Sequence, residues 1–324
     1  MTFTLPDPDL QVAFSEQLVA ARTEFLQPAL LQAARACRIE DLDRDAHRYV
    51  PALSLQQLAG RGLRAEAVFA LPTLLRQNPR LLGYYRLLLG YSQKAFYRAS
   101  TGLSAWKRIE DGKALTQAQD ADIPDLCREL NRSASLLVAR LEAILTLEHL
   151  DSLSLLTYGP QLRGRQNVLI GQWAIAEVFK VIRGLIGEHA TDVKEKRIRY
   201  TAATGRAMEV QFGSDPDISV YSLTSTRPLR RDPVLAIEVK GGTDASNAHN
   251  RLGEAEKSHN KARNKGFTDL WTIVNTRDLS PGTMRSESPS TSRFFDLAHI
   301  VARQGEEYED FRERLLQKFS LPAV

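Results

Sequence analysis

One segment in the second half of the chain constrains the fold more than any other, because it predicts paired strands that carry charged side chains. Val234–Gly242 alternates near its end, so Glu238 and Lys240 project from the same face of a strand. Asp217 opens an earlier strand over Ile218–Leu223, and a hairpin-like return would bring it beside Glu238. Two carboxylates and an amine at a shared edge can bind a hard divalent cation and direct a water toward a phosphate. The sequence therefore predicts a Mg²⁺-dependent centre that hydrolyses phosphodiesters.

A plainer alternative is that Glu238 and Lys240 form the solvated face of an edge strand and that Asp217 is an incidental turn residue. Two observations favour the functional site. Asp217 follows Pro216 and leads directly into a strand. Gly241 and Gly242 follow Lys240 at once, and the absence of a side chain there lets another backbone approach closely.

Composition sets broad limits. The 324 residues can bury a core in one or two domains, and the 43% hydrophobic and 25% charged fractions are those of an ordinary globular protein. A pI near 9.0 is compatible with a polyanionic partner but does not by itself indicate one. Cys37 and Cys127 are too isolated to form a disulfide framework or a metal site. With no signal peptide and no long apolar run, we expect a cytoplasmic protein that does not contact a membrane.

Periodicity divides the chain into a helical first part and an α/β second part. Apolar residues at helical spacing predict helices over Leu10–Cys37, Leu55–Leu75, Arg80–Tyr97 and Asp122–Leu150. The second part contains helical segments at Gly171–Ile182, Ser246–Lys265 and Glu306–Phe319, and strand-like segments at Arg197–Tyr200, Met208–Phe212, Ile218–Leu223, Val234–Lys240 and Leu270–Asn275. We therefore expect a helical region over residues 1–157, followed over residues 158–324 by an α/β (α+β) core with a mixed central sheet and a crossover helix.

At these residues the chain resembles the PD-(D/E)XK nuclease superfamily, whose signature is matched by Pro216-Asp217 and by Glu238-Val239-Lys240. The segment from Glu238 through Gly242, Thr243 and Asp244 into the next helix looks like type II restriction endonucleases of the XcyI/XmaI and AvaI/BsoBI kinds. The segment Gln77–Lys94 looks like a block specific to the XcyI group, which matches most of the chain. The AvaI-like match covers little beyond the catalytic core.

The resemblance implies a restriction-endonuclease-like core and a homodimer that cuts double-stranded DNA at a short palindrome. For the XcyI group this palindrome is CCCGGG, cut after the first C to leave a four-base 5′ overhang, whereas AvaI-like enzymes recognise CYCGRG. It also implies a cognate DNA methyltransferase in the same restriction-modification system, with no stable complex between the two. The helical region would embrace DNA or form the dimer.

Within the resemblance, Asp217, Glu238 and the backbone carbonyl of Val239 would hold Mg²⁺. Lys240 would orient or help deprotonate the attacking water and stabilise the charged phosphate oxygens. Two further residues are candidates for the active site. His249 lies at the start of the crossover helix, near the place of a histidine in AvaI-like enzymes. Glu177 lies on the helix before the core, from which such nucleases often take a carboxylate. For both, a plain surface position is the alternative.

Basic residues in two regions are candidates for DNA contact. The helix Ser246–Lys265 is rich in basic and amide side chains, which are either a solvated face or a surface along the phosphates. Arginines that flank the Ser/Thr-rich segment 286–292 could pair with guanine in the major groove, although loop arginines are usually only solvated. The residues singled out are Arg251, Lys257, Arg277, Arg285 and Arg293.

Two other functions remain open on the sequence. The segment 90–112 faintly resembles a helix-turn-helix, with Trp106, Lys107 and Arg108 on its second half, which would suit a DNA-binding regulator that does not cut. A core segment of a helical bundle is the alternative for the same residues. The second possibility is a structure-specific repair nuclease on the same core, for which the long helical first half would not be needed.

Overall fold

The computed structural model describes residues 8–224, 228–242, 247–275 and 279–322. The chain divides into two compact units, residues 1–165 and 166–324. One long helix, Leu147–Ile186, ends the first unit and begins the second. This helix runs through residues 157 and 158, where the sequence suggested a change from helical region to core. The proposed roles of the two parts in DNA binding and dimerisation stay predictions.

The first unit is helical, as predicted. In the described residues its helices are α1 (Asp9–Glu24), α2 (Gln27–Ala36), α3 (Ile39–Tyr49), α4 (Ala52–Ala59), α5 (Pro72–Gln77), α6 (Leu82–Leu88), α7 (Gln93–Phe96), α8 (Lys107–Glu110), α9 (Gln117–Leu141) and the start of α10 (Leu147–Ile186). A capping box between Thr116 and Gln119 starts α9 five residues before the predicted helix, so Pro124 lies inside the helix. Apolar residues of α2 to α9 and of the start of α10 pack into one large core, and α1 packs in a smaller cluster with Leu87, Tyr158 and Leu162.

The middle of the Gln77–Lys94 block, residues 81–88, is buried in this first unit, whereas its two ends are exposed. Tyr84 and Tyr85 are buried and donate hydrogen bonds to the carbonyls of Ala67 and Glu66, at 2.7 and 3.0 Å. Arg86 is fully buried, and its Nε lies 2.7 Å from Glu110 Oε1. The central part of the block that carries the resemblance to the XcyI group is therefore core structure.

The same contacts explain why the segment 90–112 is not a helix-turn-helix. Its helices α7 and α8 have four residues each, too short for a recognition helix that lies in a groove. Glu110, at the end of α8, is held by Arg86 and by Gln93, and Trp106 is buried. The segment thus contributes Phe96, Tyr97, Trp106 and Ile109 to the core, in line with the alternative prediction. The helix-turn-helix interpretation, and with it the DNA-binding regulator, loses its structural basis.

The second unit is built on one mixed sheet of seven strands in the described residues, which confirms the predicted fold class. The strands are β1 (Ala190–Lys194), β2 (Arg197–Thr201), β3 (Ala207–Phe212), β4 (Ile218–Leu223), β5 (Arg231–Lys240), β6 (Leu270–Val274) and β7 (Arg293–Asp296). Neighbours from β1 to β5 pair antiparallel, and β5, β6 and β7 pair parallel. The predicted last core strand, β6, is followed by one more strand.

Helices cover both faces of this sheet. The remaining helices are α11 (Ala248–Asn264), which crosses from β5 to β6, α12 (Pro281–Glu287), α13 (Leu297–Ala302) and α14 (Glu306–Phe319). On one face, alternate apolar residues of the strands pack with the end of α10 and with α14. On the other face, Ala236 of β5 packs with Ala262 of α11 and with Phe267. Glu238 and Lys240 alternate with the core residues Ile237 and Val239, so they lie on the α11 face.

None of the described helices combines the length and the hydropathy needed to cross a bilayer.

Candidate active site

The pairing of two antiparallel strands brings Asp217, Glu238 and Lys240 together. Ile218 of β4 pairs with Ile237 of β5, so the residue before β4 lies beside the end of β5. One oxygen of Asp217, Oδ2, accepts a hydrogen bond of 2.8 Å from the backbone amide of Val239. Lys240 Nζ lies 2.7 Å from Glu238 Oε1. Two carboxylates and one ammonium group therefore share a small region at the end of β5.

The site is buried, and burial sets its electrostatics. Asp217 and Glu238 are 8% and 3% exposed. Burial, and next the negative charge of Glu238, raise the pKa of Asp217 to about 7. Burial alone would lower the pKa of Lys240, but the carboxylates of Glu238 and Asp217 outweigh this effect and raise it. Lys240 thus keeps its proton, and its ammonium group lies beside two buried carboxylates.

Helix α11 holds the segments that carry both carboxylates. Ser258 is buried and donates a hydrogen bond of 2.8 Å to Glu238 Oε2, so both oxygens of Glu238 have a partner. One turn further along α11, Lys261 Nζ lies 3.0 Å from Asp215 Oδ2, two residues before Asp217. Lys265 donates to the backbone carbonyl of Asp215, at 2.5 Å. Lys261 and Lys265 therefore make internal contacts, although the sequence placed them on a possible phosphate-contacting face.

Sequence reasoning missed Ser258, which lies twenty residues after Glu238 in the chain. A signal was present in α11. The buried positions of this helix are Ala248, Leu252, Ala255, Ser258, His259 and Ala262, so a serine and a histidine interrupt an otherwise apolar stripe. Buried polar side chains need partners, and here Ser258 meets Glu238 and His259 Nε2 lies 2.8 Å from Thr272 Oγ1. Burial lowers the pKa of His259 to about 4, so this ring is neutral at physiological pH.

Helix α10 packs directly on the end of β5, at Gly241. A Cβ atom on Gly241 would lie 2.6 Å from the Cβ of Ala174 and 2.7 Å from the carbonyl oxygen of Ile170. Only glycine fits at this distance, which confirms the prediction that another backbone approaches here. The contact fixes the strand end that carries Lys240.

The two further active-site candidates make contacts outside this triad. Glu177 lies on α10 and pairs with Lys180 of the same helix, with 2.7 Å between Oε1 and Nζ. His249 contacts the carboxylate of Glu287 on α12, and its side chain is 65% exposed. The structure thus gives each of them a partner other than Asp217, Glu238 or Lys240, and their catalytic roles stay predictions.

The predicted DNA-contacting residues lie in three settings. Arg251 of α11 packs against Gly242, where an added Cβ would lie 3.0 Å from its Nη1. Lys257 of α11 is exposed. Arg285 lies on α12 and Arg293 on β7, both exposed, so the arginines that flank the segment 286–292 lie on a helix and a strand. Arg277 lies outside the described residues, as do Thr243 and Asp244.

The second unit is a mixed sheet flanked by helices. Its acidic and basic side chains lie at the end of β5, which pairs antiparallel with β4 and parallel with β6. This arrangement is that of a restriction-endonuclease-like core. The model of the XcyI restriction endonuclease family matches residues 15–322, and the chain belongs to this family. It is 46% identical to the type II restriction enzyme XcyI of Xanthomonas campestris pv. cyanopsidis, over 98% of this chain and 96% of that protein. It is 44% identical to the type II restriction enzyme Cfr9I of Citrobacter freundii, over 98% and 97%.

Proposed function

We propose that this restriction endonuclease cuts double-stranded DNA at CCCGGG, after the first C, by Mg²⁺-dependent hydrolysis at a PD-(D/E)XK site formed by Asp217, Glu238 and Lys240. The observation that carries the chemistry is the buried pair of carboxylates beside a protonated lysine. Two findings support the target sequence. The chain belongs to the XcyI family, and it is 46% and 44% identical to two type II restriction enzymes over nearly its whole length.

The donor set suits a divalent cation. In the described residues, His, Cys, Asp and Glu side chains form no cluster of three or more that could hold a metal, so the proposal relies on two carboxylates and the backbone carbonyl of Val239. Oxygen donors of this kind suit Mg²⁺, which keeps several waters and takes one or two carboxylates. Burial and the neighbouring charge of Glu238 raise the pKa of Asp217, and a divalent cation held by the two carboxylates would offset this effect. When bound, Mg²⁺ would offset negative charge on the scissile phosphate and lower the pKa of a water.

The other catalytic roles fall to Lys240 and to the two carboxylates. Lys240, which keeps its proton beside Glu238, donates to the phosphate oxygens as negative charge develops on them. It cannot accept a proton in that state, so of the two roles expected for it we favour charge stabilisation and orientation of the water. Asp217 is held by the amide of Val239, and Glu238 by Ser258 and Lys240, so both carboxylates are oriented before substrate binds.

A palindromic target is most simply read by a two-fold symmetric protein, and we propose a homodimer on this ground. A cognate DNA methyltransferase would protect the host sites without forming a stable complex. The helical first unit would embrace the DNA or form the dimer, and Arg251, Lys257, Arg285 and Arg293 would contact DNA.

Digestion of phage DNA with the purified protein tests this function. In the presence of Mg²⁺ we expect discrete fragments whose sequenced ends begin 5′-CCGG, and no cutting when the metal is removed by a chelator. Intact DNA at CCCGGG sites, or fragments that end elsewhere, would contradict the specificity. Cutting restricted to branched DNA would favour the repair nuclease instead.

The contact between Ser258 and Glu238 predicts a metal-binding defect. Ser258→Ala removes a hydrogen bond to a buried charged group, which is expected to raise the Mg²⁺ concentration for half-maximal cleavage about tenfold. Direct titration with Mn²⁺, followed by electron paramagnetic resonance, should show the same weakening without any reliance on cleavage.

Ser135→Ala is the matched control, because in the part of the chain that the structure describes Ser135 Oγ donates to the carbonyl of Asn131 in its own helix and not to a carboxylate. This variant should bind Mn²⁺ as the unmodified protein does. Equal Mn²⁺ affinity in Ser258→Ala would show that Ser258 has no part in orienting Glu238 for the metal.

A further inference from the structure

A second group of charged side chains lies on the sheet away from the triad. Glu209 of β3 is fully buried, and its carboxylate is shared by arginines from two other strands. Arg199 Nε lies 2.7 Å from Oε2, and Arg231 Nε lies 2.9 Å from Oε1. Gln211 donates to Oε1 at 2.8 Å, and Arg197 Nε lies 3.9 Å from Oε2. We call Arg197, Arg199, Glu209 and Arg231 the arginine cluster.

The arginine cluster carries more positive charge than its internal contacts require. Glu209 offsets one guanidinium, and Asp192 offsets a second by accepting a 2.6 Å bond from Arg197. One positive charge is therefore left over. Like charges gathered around one buried carboxylate repel one another, and this repulsion is relieved when a further anion binds.

The geometry of the arginines leaves their outer ends available. Arg199 and Arg231 contact Glu209 through Nε, so each keeps its two terminal nitrogens, for which the described residues provide no acceptor. Their side chains are 34% and 44% exposed. The guanidinium of Arg231 also lies 6.0 Å from the ring centroid of Tyr221. These guanidinium groups are already ordered, so binding an anion costs little further side-chain entropy.

The arginine cluster lies on the same sheet face as Glu238. Glu209 pairs in register with Tyr221, and Tyr221 packs with Phe267 on the α11 side. Along β4, Tyr221 lies four residues after Asp217, and Asp217 lies beside Glu238 across the β4–β5 pairing. Strand geometry therefore separates Glu209 from Glu238 by about 16 Å, from the rise along β4 and the spacing of two strands. Along B-DNA this distance corresponds to about five phosphates of one strand.

We infer that the arginine cluster binds phosphate groups of the DNA backbone that flank the recognised hexanucleotide, an inference that rests on the proposed function. Planar guanidinium groups match the oxygens of a phosphate in a bidentate manner, and such contacts add affinity without reading sequence. None of these arginines was selected from the sequence, because only the pairing of β2, β3 and β5 gathers them around Glu209.

Single substitutions test this inference, since the two remaining arginines still offset Glu209 and preserve the fold. DNA binding is measured with Ca²⁺ in place of Mg²⁺, on CCCGGG duplexes with long and with minimal flanks. Arg199→Gln and Arg231→Gln should each weaken binding to the long duplex about three- to tenfold and lower the salt dependence by about 0.9 per lost phosphate contact. Binding to the minimal duplex should be unchanged.

Arg314→Gln is the control, because within the described residues Arg314 pairs with Asp310 of its own helix, α14, and with no residue of the arginine cluster. Circular dichroism checks that each variant is folded, and Arg199→Lys, which keeps the charge but lacks the planar fork, serves as the second variant. Equal affinity and salt dependence in Arg199→Gln, Arg231→Gln and the unmodified protein would overturn the inference. Mg²⁺-dependent cutting of CCCGGG by the unmodified protein is scored separately, so the proposed function can stand when the inference fails.

Discussion

Replacing Lys240 by alanine is expected to slow DNA cleavage by about 100- to 1000-fold, the usual effect of removing one donor that stabilises transition-state charge. The ammonium group of Lys240 is the only positive charge that the structure places in contact with Glu238 among the described residues. Binding of the CCCGGG duplex in Ca²⁺ should change much less, because the phosphate contacts elsewhere are kept. Single-turnover cleavage rates and duplex affinities, measured on the same preparations, separate the two effects.

Lys318→Ala is a suitable control for this experiment. Lys318 lies on α14 and pairs with Asp269, with 2.6 Å between Nζ and Oδ2, so its loss removes a lysine without touching Asp217, Glu238 or Lys240. This variant should cut at the rate of the unmodified enzyme. If Lys240→Ala also cut at that rate, the catalytic centre would have to lie elsewhere on the chain.

The elements that the sequence predicted well are those whose pattern is local. The apolar alternation of Ile218–Leu223 and the amphipathic repeat of Glu306–Phe319 each match the observed β4 and α14 to the residue. For α14 the buried residues recur at the helical period on one face, and β4 is a short run of strand-forming residues, so both elements can be predicted from a few neighbouring residues. The adjacency of Asp217 and Glu238 also followed from local pattern, because a hairpin return is the simplest connection between their strands.

The elements that the sequence missed depend on partners far along the chain. Strand β7 has only four residues and forms because Trp271 and Ile273 of β6 offer a parallel edge to Arg293 and Phe295. Strand β1 is mostly exposed and is held by its pairing with β2. Helix α10 continues through Pro160 for 40 residues, although the composition around Tyr158 suggested a break. Short or half-polar segments take their structure from tertiary pairing, which one sequence does not reveal.

The same limit applies within the site. Glu238 and Lys240 are two residues apart, so a strand period alone places them on one face. Ser258 reaches Glu238 only because α11 crosses back over β5, and the arginines reach Glu209 only because β2, β3 and β5 lie in one sheet. Residues that hold other side chains in place were therefore missed, whereas the residues of the triad itself could be selected from spacing.

The close packing at Gly241 predicts the largest effect on stability. Gly241→Ala would put a Cβ atom 2.6 Å from Ala174 Cβ and 2.7 Å from the Ile170 carbonyl oxygen. Neither a methyl group on a helix nor a backbone carbonyl can move aside cheaply, so α10 and the end of β5 must separate. We expect a loss of about 3 kcal/mol or more in the free energy of unfolding, at the upper end of overpacking effects. Cleavage should also fall, since Lys240 precedes Gly241 and moves with it.

Gly253→Ala supplies the matched control, because it makes the same chemical change in the same unit. Gly253 lies within α11, and an added Cβ would meet nothing within 4 Å. Alanine has the higher helix propensity, so this variant should gain about 0.5–1 kcal/mol instead. Urea unfolding curves of the two variants should therefore shift in opposite directions. A Gly241→Ala protein as stable and as active as the unmodified enzyme would mean that α10 does not fix the strand end beside Lys240.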